Sequence, residues 1–291
     1  MSTGATAVAK SDLLVDLHRD HVAAVTAALS GAAVSLLTGF ARLDVLTGGF
    51  YGTVAIASPP GGGKTSFAVN CATRWAEAGS CAVLVASPEL PRLVLVDRLC
   101  ACATGIKLSE IRSGCALDTA HAAKWRAWRD WTTANGALIA IRGRGEDISF
   151  AALKDRVSEL QDLSGKRVVV VADGLQTLAD RFRRPGDGEK DALDRITGEW
   201  VDGWGEMDVT SLLLSHMPKG AFTRHEQGVF AGSSRIEYRT DTAIVLQPPK
   251  DGERTTPKYP IVAHVTKSWH GPVGRSRLQF DGTCCRFTDG K

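Results

Sequence analysis

The chain has 291 residues, 44% of them hydrophobic, and its 35 basic and 32 acidic side chains leave a formal net charge of +3. This length is long for one domain and short for two, so we expect one large domain with short appendages. The charge balance neither demands nor excludes nucleic acid, and any basic surface has to be local. No apolar run approaches the about 18 residues of a membrane span, and no signal peptide opens the chain, so we expect a cytoplasmic protein without a membrane partner.

Seven cysteines occur, an odd number, and none belongs to a Cys-x-x-Cys pair. This spacing is typical of reduced, mostly buried thiols rather than of a disulfide framework or a zinc site. We therefore expect free cysteines.

The first 34 residues are predicted to be a flexible tail followed by a short linker-type helix. In 11-SDLLVDLHRDHVAAVTAAL-29, apolar residues recur at helical spacing. Two alternatives stay open for this helix, which either packs on its own core or lies on a neighbouring subunit. The main domain is predicted to cover residues 35–291.

From residue 35 onward, short apolar runs alternate with helical patterns. The strand candidates are 53–58, 81–87, 137–141, 167–173, 209–215, 242–247 and 261–267. The helical patterns are 65–78, 90–104, 119–134, 149–163 and 189–207. This alternation predicts an α/β fold with a mainly parallel central sheet and helices on both faces. Residues 242–288 hold strands with no helix between them, which predicts antiparallel strands at the C-terminal end, broken at 248–260.

A glycine-rich loop, 58-SPPGGGKT-65, joins the first strand candidate to a helical pattern. It fits the Walker A pattern of a phosphate-binding loop except at the first position, where Ser58 replaces glycine. Glycines let backbone N–H groups point at phosphate oxygens, Lys64 reaches the β- and γ-phosphates, and the Thr65 hydroxyl is a ligand for Mg²⁺. The predicted site for ATP and Mg²⁺ consists of Ser58, Pro59, Pro60, Gly61, Gly62, Gly63, Lys64, Thr65 and Ser66.

Three polar side chains follow strand candidates at the sheet edge where this loop lies. Asp173 ends the run VVVVAD, the usual place of a Walker B carboxylate that binds Mg²⁺. Glu89 follows the strand candidate 81–87 and could orient the attacking water, and His216 could sense the γ-phosphate. The alternative for each of these three residues is that it is polar but has no role in catalysis.

Further segments, in order, resemble those of one family. They are 38-TGFARLDVLTGGF-50, 87-SPELP-91, 110-EIRSG-114, 168-VVVVADGLQTL-178, 212-LLLSHMPKG-220, 232-GSSRIEYRTDTAIVL-246 and 266-TKSWHGPVGRSRLQFDGTCCRF-287. With the phosphate loop, they make the chain similar, over residues 35–288, to the RecA-like ATPase domain of DnaB-type replicative helicases. The order and spacing of the segments carry this resemblance, because each segment outside the phosphate loop is weak alone.

The resemblance implies a role for each matching residue. Glu89 is then the catalytic base and Asp173 the Walker B acid. Arg98 is implied to stack on the adenine, and Lys267 to reach across a subunit boundary to a neighbour's γ-phosphate.

Three departures from the family pattern bear on function. We expect no N-terminal helicase domain ahead of the core, and the family's glutamine in L-S-Q is His216 here. The residue two after Lys267 is normally an arginine finger and is Trp269 here, with Arg275 or Arg277 as substitutes. Loss of an arginine finger can cost several orders of magnitude in rate.

Two basic segments, 181-RFRRPGDGEK-190 and 218-PKGAFTRHEQGVFAGSSR-235, follow successive strand candidates. Such loops face the central channel of the family's ring, so the resemblance implies contact with single-stranded DNA. The alternative is that they are solvated charged loops. The candidate phosphate-binding residues are Arg181, Arg183, Arg184, Lys190, Lys219, Arg224 and Arg235, and Phe182, Phe222 and Phe230 could stack on bases.

The resemblance therefore implies a motor that assembles head to tail as a hexameric ring. It would hydrolyse ATP at subunit interfaces to translocate on DNA in replication, with other replication proteins as partners. The alternative, indicated by Trp269, is an ATP-binding switch or scaffold in replication, recombination or repair, with weak hydrolysis.

Overall fold

The computed structural model describes residues 14, 18, 22, 23, 26, 35–113, 122–217, 235–249, 254 and 256–290. By its internal contacts the chain divides into two compact units, Met1–Leu36 and Leu37–Lys291. In the first unit, the five described residues of the predicted 11–29 helix are helical, and Leu14 and Val22 are exposed. Within the described ranges, no helix combines the length and the apolar character that crossing a membrane requires.

One sheet contains the nine strands of the described chain. They are β1 (Thr53–Ser58), β2 (Ala82–Ala86), β3 (Ile139–Arg142), β4 (Val168–Asp173), β5 (Thr210–His216), β6 (Thr242–Gln247), β7 (Lys258–Ser268), β8 (Gly274–Asp281) and β9 (Arg286–Asp289). Their order is β3-β2-β4-β5-β1-β6-β7-β8-β9. The first six in this order run parallel and the last three continue antiparallel. The predicted fold class is confirmed.

The described helices are α1 (Ala41–Thr47), α2 (Lys64–Glu77), α3 (Arg92–Thr104), α4 (Leu108–Ser113), α5 (Ala122–Asn135), α6 (Phe150–Ser164), α7 (Leu175–Arg181), α8 (Glu189–Glu206) and α9 (Arg235–Arg239), with a 3₁₀ turn at Gly136–Leu138. The five long ones, α2, α3, α5, α6 and α8, lie close to the predicted helical patterns. Four short helices of five to seven residues, α1, α4, α7 and α9, were not predicted from the sequence. Fewer than two turns show too little of the 3.6-residue period to be recognised.

The parallel strands are covered on both faces, which explains their continuous apolar sequences. Every residue of β1, β2 and β4 is buried. On one face, α6 and α8 pack Leu153, Trp200 and Trp204 against the sheet. Elsewhere in the core, Phe67 of α2 stacks on Phe40 at 5.6 Å and meets Phe287 of β9 edge to face.

The antiparallel end holds more strands than the sequence indicated. β7 begins at Lys258, inside the segment 248–260 that was predicted as a break, and β8 and β9 had no strand candidate of their own. Only alternate residues of β7, such as Ile261, Ala263 and Val265, are buried. An alternating strand lacks the continuous apolar run by which the parallel strands were recognised.

The six described cysteines are free and buried, in agreement with the prediction, and Cys115 lies outside the described residues. Their burial is consistent with a packing role.

The segment at 38–50 has a structural role. The Asp44 carboxylate accepts hydrogen bonds from the Thr38 backbone and hydroxyl, both at 2.7 Å, and from the Gly39 backbone at 3.0 Å. Arg74 of α2 in turn donates to the Gly39 carbonyl. These contacts hold the start of the domain on the helix that follows the phosphate loop.

Candidate nucleotide site and nucleic-acid loops

The phosphate loop lies between the end of β1 and the start of α2. Gly61 and Gly63 have positive φ angles of 70° and 91°, which glycine adopts without strain. A Cβ atom on Gly62 would lie 2.6 Å from Ser58 Oγ, so the loop closes tightly over this serine. The curled backbone leads into a helix of 14 residues, whose N-terminus favours anions.

Lys64 is buried beneath this loop. Its Nζ donates to the Ser58 carbonyl and hydroxyl, both at 3.3 Å, and lies 3.4 Å from His216 Nδ1. Burial lowers the pKa of Lys64, and the carboxylates of Asp173 and Glu89 oppose that shift. The amine therefore belongs to a compact charged cluster at the edge of the sheet.

Thr65 and Asp173 meet as a pair suited to a metal ion. The Thr65 hydroxyl donates to Asp173 Oδ1 at 2.7 Å, and the Ser87 hydroxyl donates to Asp173 Oδ2 at 3.0 Å. Burial raises the pKa of Asp173, although both hydrogen bonds oppose the rise. These oxygen ligands fit Mg²⁺, and a cation would offset the cost of burying the carboxylate. Ser87 was not predicted, and its signal was a polar residue at the end of a buried strand.

Hydrogen bonds fix the position of the Glu89 carboxylate beside Thr65 and Asp173. Its Oε1 accepts a hydrogen bond from the Thr177 hydroxyl at 3.0 Å and lies 3.2 Å from His216 Nε2. The hydrogen bond with His216 is the main cause that holds the pKa of Glu89 below its ordinary value. Glu89 therefore favours the ionised form that a general base requires.

The strand order explains why these residues meet. β5 lies between β4 and β1, with His216 paired to Ser58 and Asp173 paired to Leu214. The carboxyl ends of parallel strands share one edge of a sheet, so side chains that end β1, β4 and β5 converge there. Five of the six predicted catalytic residues are brought together by this arrangement, namely Lys64, Thr65, Glu89, Asp173 and His216.

A cavity of about 480 Å³ opens on these residues. Gly61 to Ser66 line it, whereas Ser58, Pro59 and Pro60 do not. Arg98 is on its wall, with Nη1 3.4 Å from Ser66 Oγ. Further lining residues were not predicted from the sequence, among them Tyr259, Phe280 and Cys285. These three come from the antiparallel end, whose strands were only partly predicted.

Lys267, the sixth predicted catalytic residue, lies away from this cavity. It pairs with Ala243 of β6, which pairs with Ala55 near the start of β1. Its amine donates to the carbonyls of Glu237 and Tyr238 at 3.0 and 2.8 Å. Lys267 thus does not join the phosphate loop of its own chain.

Trp269 lies beside Lys267 and is 66% exposed. The Lys267 amine is 5.3 Å from the centre of its ring, within range of a cation–π contact. Arg275 and Arg277 point outward from β8, where both are exposed. All three side chains are therefore outside the cavity of their own chain.

The structure places the described basic residues around α7, α8 and α9. Arg181 donates to the Glu146 carbonyl at 2.7 Å, and Arg183 pairs with Asp180. Arg184 lies 3.2 Å from Glu199, and Arg235 lies 3.5 Å from Asp194. Lys190 is exposed at the start of α8. Lys219 and Arg224, like Phe222 and Phe230, lie outside the described residues.

A groove along α8 brings Lys190 and Arg235 together. Its charged lining consists of Lys190, Arg195, Arg235 and Arg239 against Asp191, Asp194, Glu199 and Asp202. Four basic and four acidic side chains balance each other, and the acidic ones were not predicted from the loop sequences. The carboxylates of α8 therefore reduce the positive potential that the loops would present alone.

Comparison with known proteins gives a consistent assignment. The sequence model of one family, described as the DnaB-like helicase C terminal domain, matches residues 35–289. The chain is 26% identical over 260 residues to the replicative DNA helicase DnaC of Bacillus subtilis, covering 86% of this chain and 55% of that protein. It is 32% identical over 292 residues to the replicative DNA helicase DnaB of Treponema pallidum, covering 98% and 63%. The chain thus spans little more than half the length of these relatives.

Solved structures show the same fold. One solved ATPase domain superposes with a TM-score of 0.78 at 20% identity, covering 97% of this chain and all of that one. A DnaB-like replicative helicase, studied with its interactions with primase, gives a TM-score of 0.76 at 21% identity, covering all of this chain and 69% of that one. These neighbours confirm a RecA-like ATPase fold. With the family match over residues 35–289 and the strand-end cluster described above, the chain belongs to the family of DnaB-like helicase C-terminal domains.

Proposed function

We propose that this chain is an ATP-dependent DNA motor of the DnaB helicase class, which hydrolyses ATP to translocate on or unwind DNA in replication. One observation carries the proposal: Lys64, Thr65, Asp173 and Glu89 line a single cavity at the carboxyl edge of the sheet. These are the groups that phosphoryl transfer to water requires, namely a phosphate-binding lysine, two oxygen ligands for a metal and a base.

Each residue then has a chemical task. The backbone N–H groups of the phosphate loop and the Lys64 amine bind the β- and γ-phosphates. Thr65 and Asp173 would hold Mg²⁺, which neutralises charge on the phosphate oxygens when it is bound. Glu89 orients the attacking water and accepts its proton, and Arg98 supplies the cavity wall for the adenine.

The position of Lys267 favours sites shared between subunits. Trp269 donates its backbone N–H to the Asp241 carbonyl, and the Asp241 N–H donates to the Thr53 carbonyl at the start of β1. The phosphate loop follows the other end of that strand, about 16 Å away at about 3.3 Å per residue. A side chain at position 267 or 269 therefore serves a phosphate loop of another copy, as in a head-to-tail ring, which we propose to be a hexamer.

The basic residues of the α7–α8 segment and of α9 support single-stranded DNA as the substrate. Arg181, Arg183, Arg184, Lys190 and Arg235 would contact backbone phosphates, together with Lys219 and Arg224. Such binding weakens steeply with salt. The similarity to replicative helicases, one of which was solved with its primase interactions, supports replication proteins as partners in the cytoplasm.

The same relatives support the motor over the ATP-binding switch or scaffold. We further propose that residues 1–34 act as a tail and linker helix for the ATPase domain at 35–291.

The test is steady-state ATP hydrolysis at several protein concentrations, with and without single-stranded DNA. Turnover should rise with protein concentration and with DNA, because the sites are shared and DNA is the substrate. Lys64→Ala should abolish turnover, whereas Lys107→Ala, at an exposed lysine, should not change it. Turnover that does not change when DNA is added, or that persists in Lys64→Ala, would contradict the proposed function.

A further inference from the structure

His216 lies between the two oppositely charged groups of the catalytic cluster. Its Nδ1 is 3.4 Å from Lys64 Nζ, and its Nε2 is 3.2 Å from Glu89 Oε1. An ammonium group can only donate, so Nδ1 accepts, and a carboxylate can only accept, so Nε2 carries the proton. The two partners therefore select one neutral tautomer of the imidazole.

The backbone of His216 is fixed as well. Its N–H donates to Gln176 Oε1 at 3.1 Å, and Gln176 Nε2 donates to Ser215 Oγ at 2.8 Å. Gln176 lies in the first turn of α7, which begins two residues after Asp173. The backbone of His216 is thus held by one residue of α7 and by its pairing with Ser58 at the end of β1.

The residue before α7 also makes room for Glu89. Gly174 has a φ of 112°, and a Cβ atom there would lie 2.3 Å from Glu89 Oε1. Thr177, three residues further, donates its hydroxyl to the same oxygen at 3.0 Å. His216, Gly174 and Thr177 together define where this carboxylate oxygen lies.

We propose that His216 is the positioning residue of the catalytic base, holding Glu89 through Nε2–H while Lys64 holds the imidazole through Nδ1. The inference rests on the proposed function, because it takes Glu89 as the base. His216 thus orients Glu89, a role that is separate from contact with the phosphate.

The same contacts show what removal of the imidazole does. Without Nε2–H, Glu89 Oε1 keeps only the Thr177 hydroxyl of these two partners, and Lys64 loses its contact with Nδ1. Turnover should therefore fall when His216 is replaced by a residue that cannot donate to Glu89.

The experiment compares His216→Ala, His216→Gln and Thr177→Val in ATP hydrolysis, with the binding of a fluorescent ATP analogue measured in parallel. His216→Ala should lower kcat by about tenfold or more, with a smaller change in ATP affinity. Glutamine can still donate a hydrogen bond to Glu89, whereas alanine cannot. His216→Gln should therefore keep more turnover than His216→Ala.

Thr177→Val keeps the test decisive if the alanine variant fails to fold. It should lower kcat severalfold, whereas Thr132→Val, whose hydroxyl bonds within α5, should not. Wild-type turnover in His216→Ala would overturn the inference and leave the proposed function standing. Absence of turnover in the wild-type protein would overturn both.

Discussion

The Thr65 hydroxyl donates to Asp173 Oδ1 at 2.7 Å, although the two residues are 108 positions apart in the chain. Ser87 binds the other carboxylate oxygen, and burial raises the pKa of Asp173. A raised pKa means that ionising Asp173 costs free energy in the folded protein, and a cation at this point offsets that cost.

Asp173→Asn should therefore separate metal binding from folding. The amide has the same shape and carries no charge, so the free energy of unfolding should change by about 1 kcal/mol or less. Magnesium-dependent ATP turnover should fall at least about 100-fold, because the site loses a charged ligand. ATPase assays measure the turnover, and thermal melting measures the change in stability. Asp155→Asn, at an exposed position of α6, is the matched control. Normal turnover in Asp173→Asn would show that another residue binds the metal.

The parts of the site that sequence could predict are those that local patterns mark. A glycine-rich turn between a strand and a helix marks Lys64 and Thr65, and polar residues at strand ends mark Glu89 and Asp173. No local sequence pattern identifies Asn70, because its role depends on a hydrogen-bond partner 215 residues away. Short elements such as α7 were missed for a different reason, since seven residues carry little periodicity.

Asn70→Ala should destabilise the domain. Asn70 Nδ2 donates to the Cys285 carbonyl at 2.6 Å, and its Oδ1 accepts from the Phe287 backbone at 2.9 Å. Alanine leaves two buried backbone groups unpaired, so the free energy of unfolding should fall by about 2–4 kcal/mol. Urea unfolding measures the loss. Asn135→Ala, which removes one hydrogen bond within α5, should cost much less. If both variants lose the same free energy of unfolding, the Asn70 hydrogen bonds from α2 to Cys285 and Phe287 stabilise the domain no more than the bond within α5.

Glu199→Gln, which removes the charge of Glu199, should strengthen DNA binding. Glu199 lies 3.2 Å from Arg184 and 3.1 Å from Arg195, and all of these pairs are partly exposed. Exposed pairs contribute about 0–1 kcal/mol, so releasing the arginines should raise affinity by up to about fivefold. Fluorescence anisotropy with labelled single-stranded DNA, at several salt concentrations, measures the effect.

The control for this change is Glu159→Gln, which also breaks an exposed arginine pair but lies on α6. It should leave DNA affinity unchanged. An affinity that does not rise in Glu199→Gln would place the DNA contact away from Arg184.

Trp269→Arg should raise the rate of hydrolysis in trans. Trp269 is 66% exposed and is linked through the Asp241 backbone to the start of β1, whereas the phosphate loop follows the end of that strand, about 16 Å further on. A guanidinium at this position can reach only the phosphates bound by another copy, where it stabilises charge in the transition state. Turnover should therefore rise at least about tenfold at protein concentrations that favour association, and the gain should vanish on dilution. Trp269→Gln removes the ring without adding a charge and is the matched control. If the arginine and glutamine variants turn over ATP at the same rate, position 269 does not face a neighbour's nucleotide, and Arg275 and Arg277 become the residues to change.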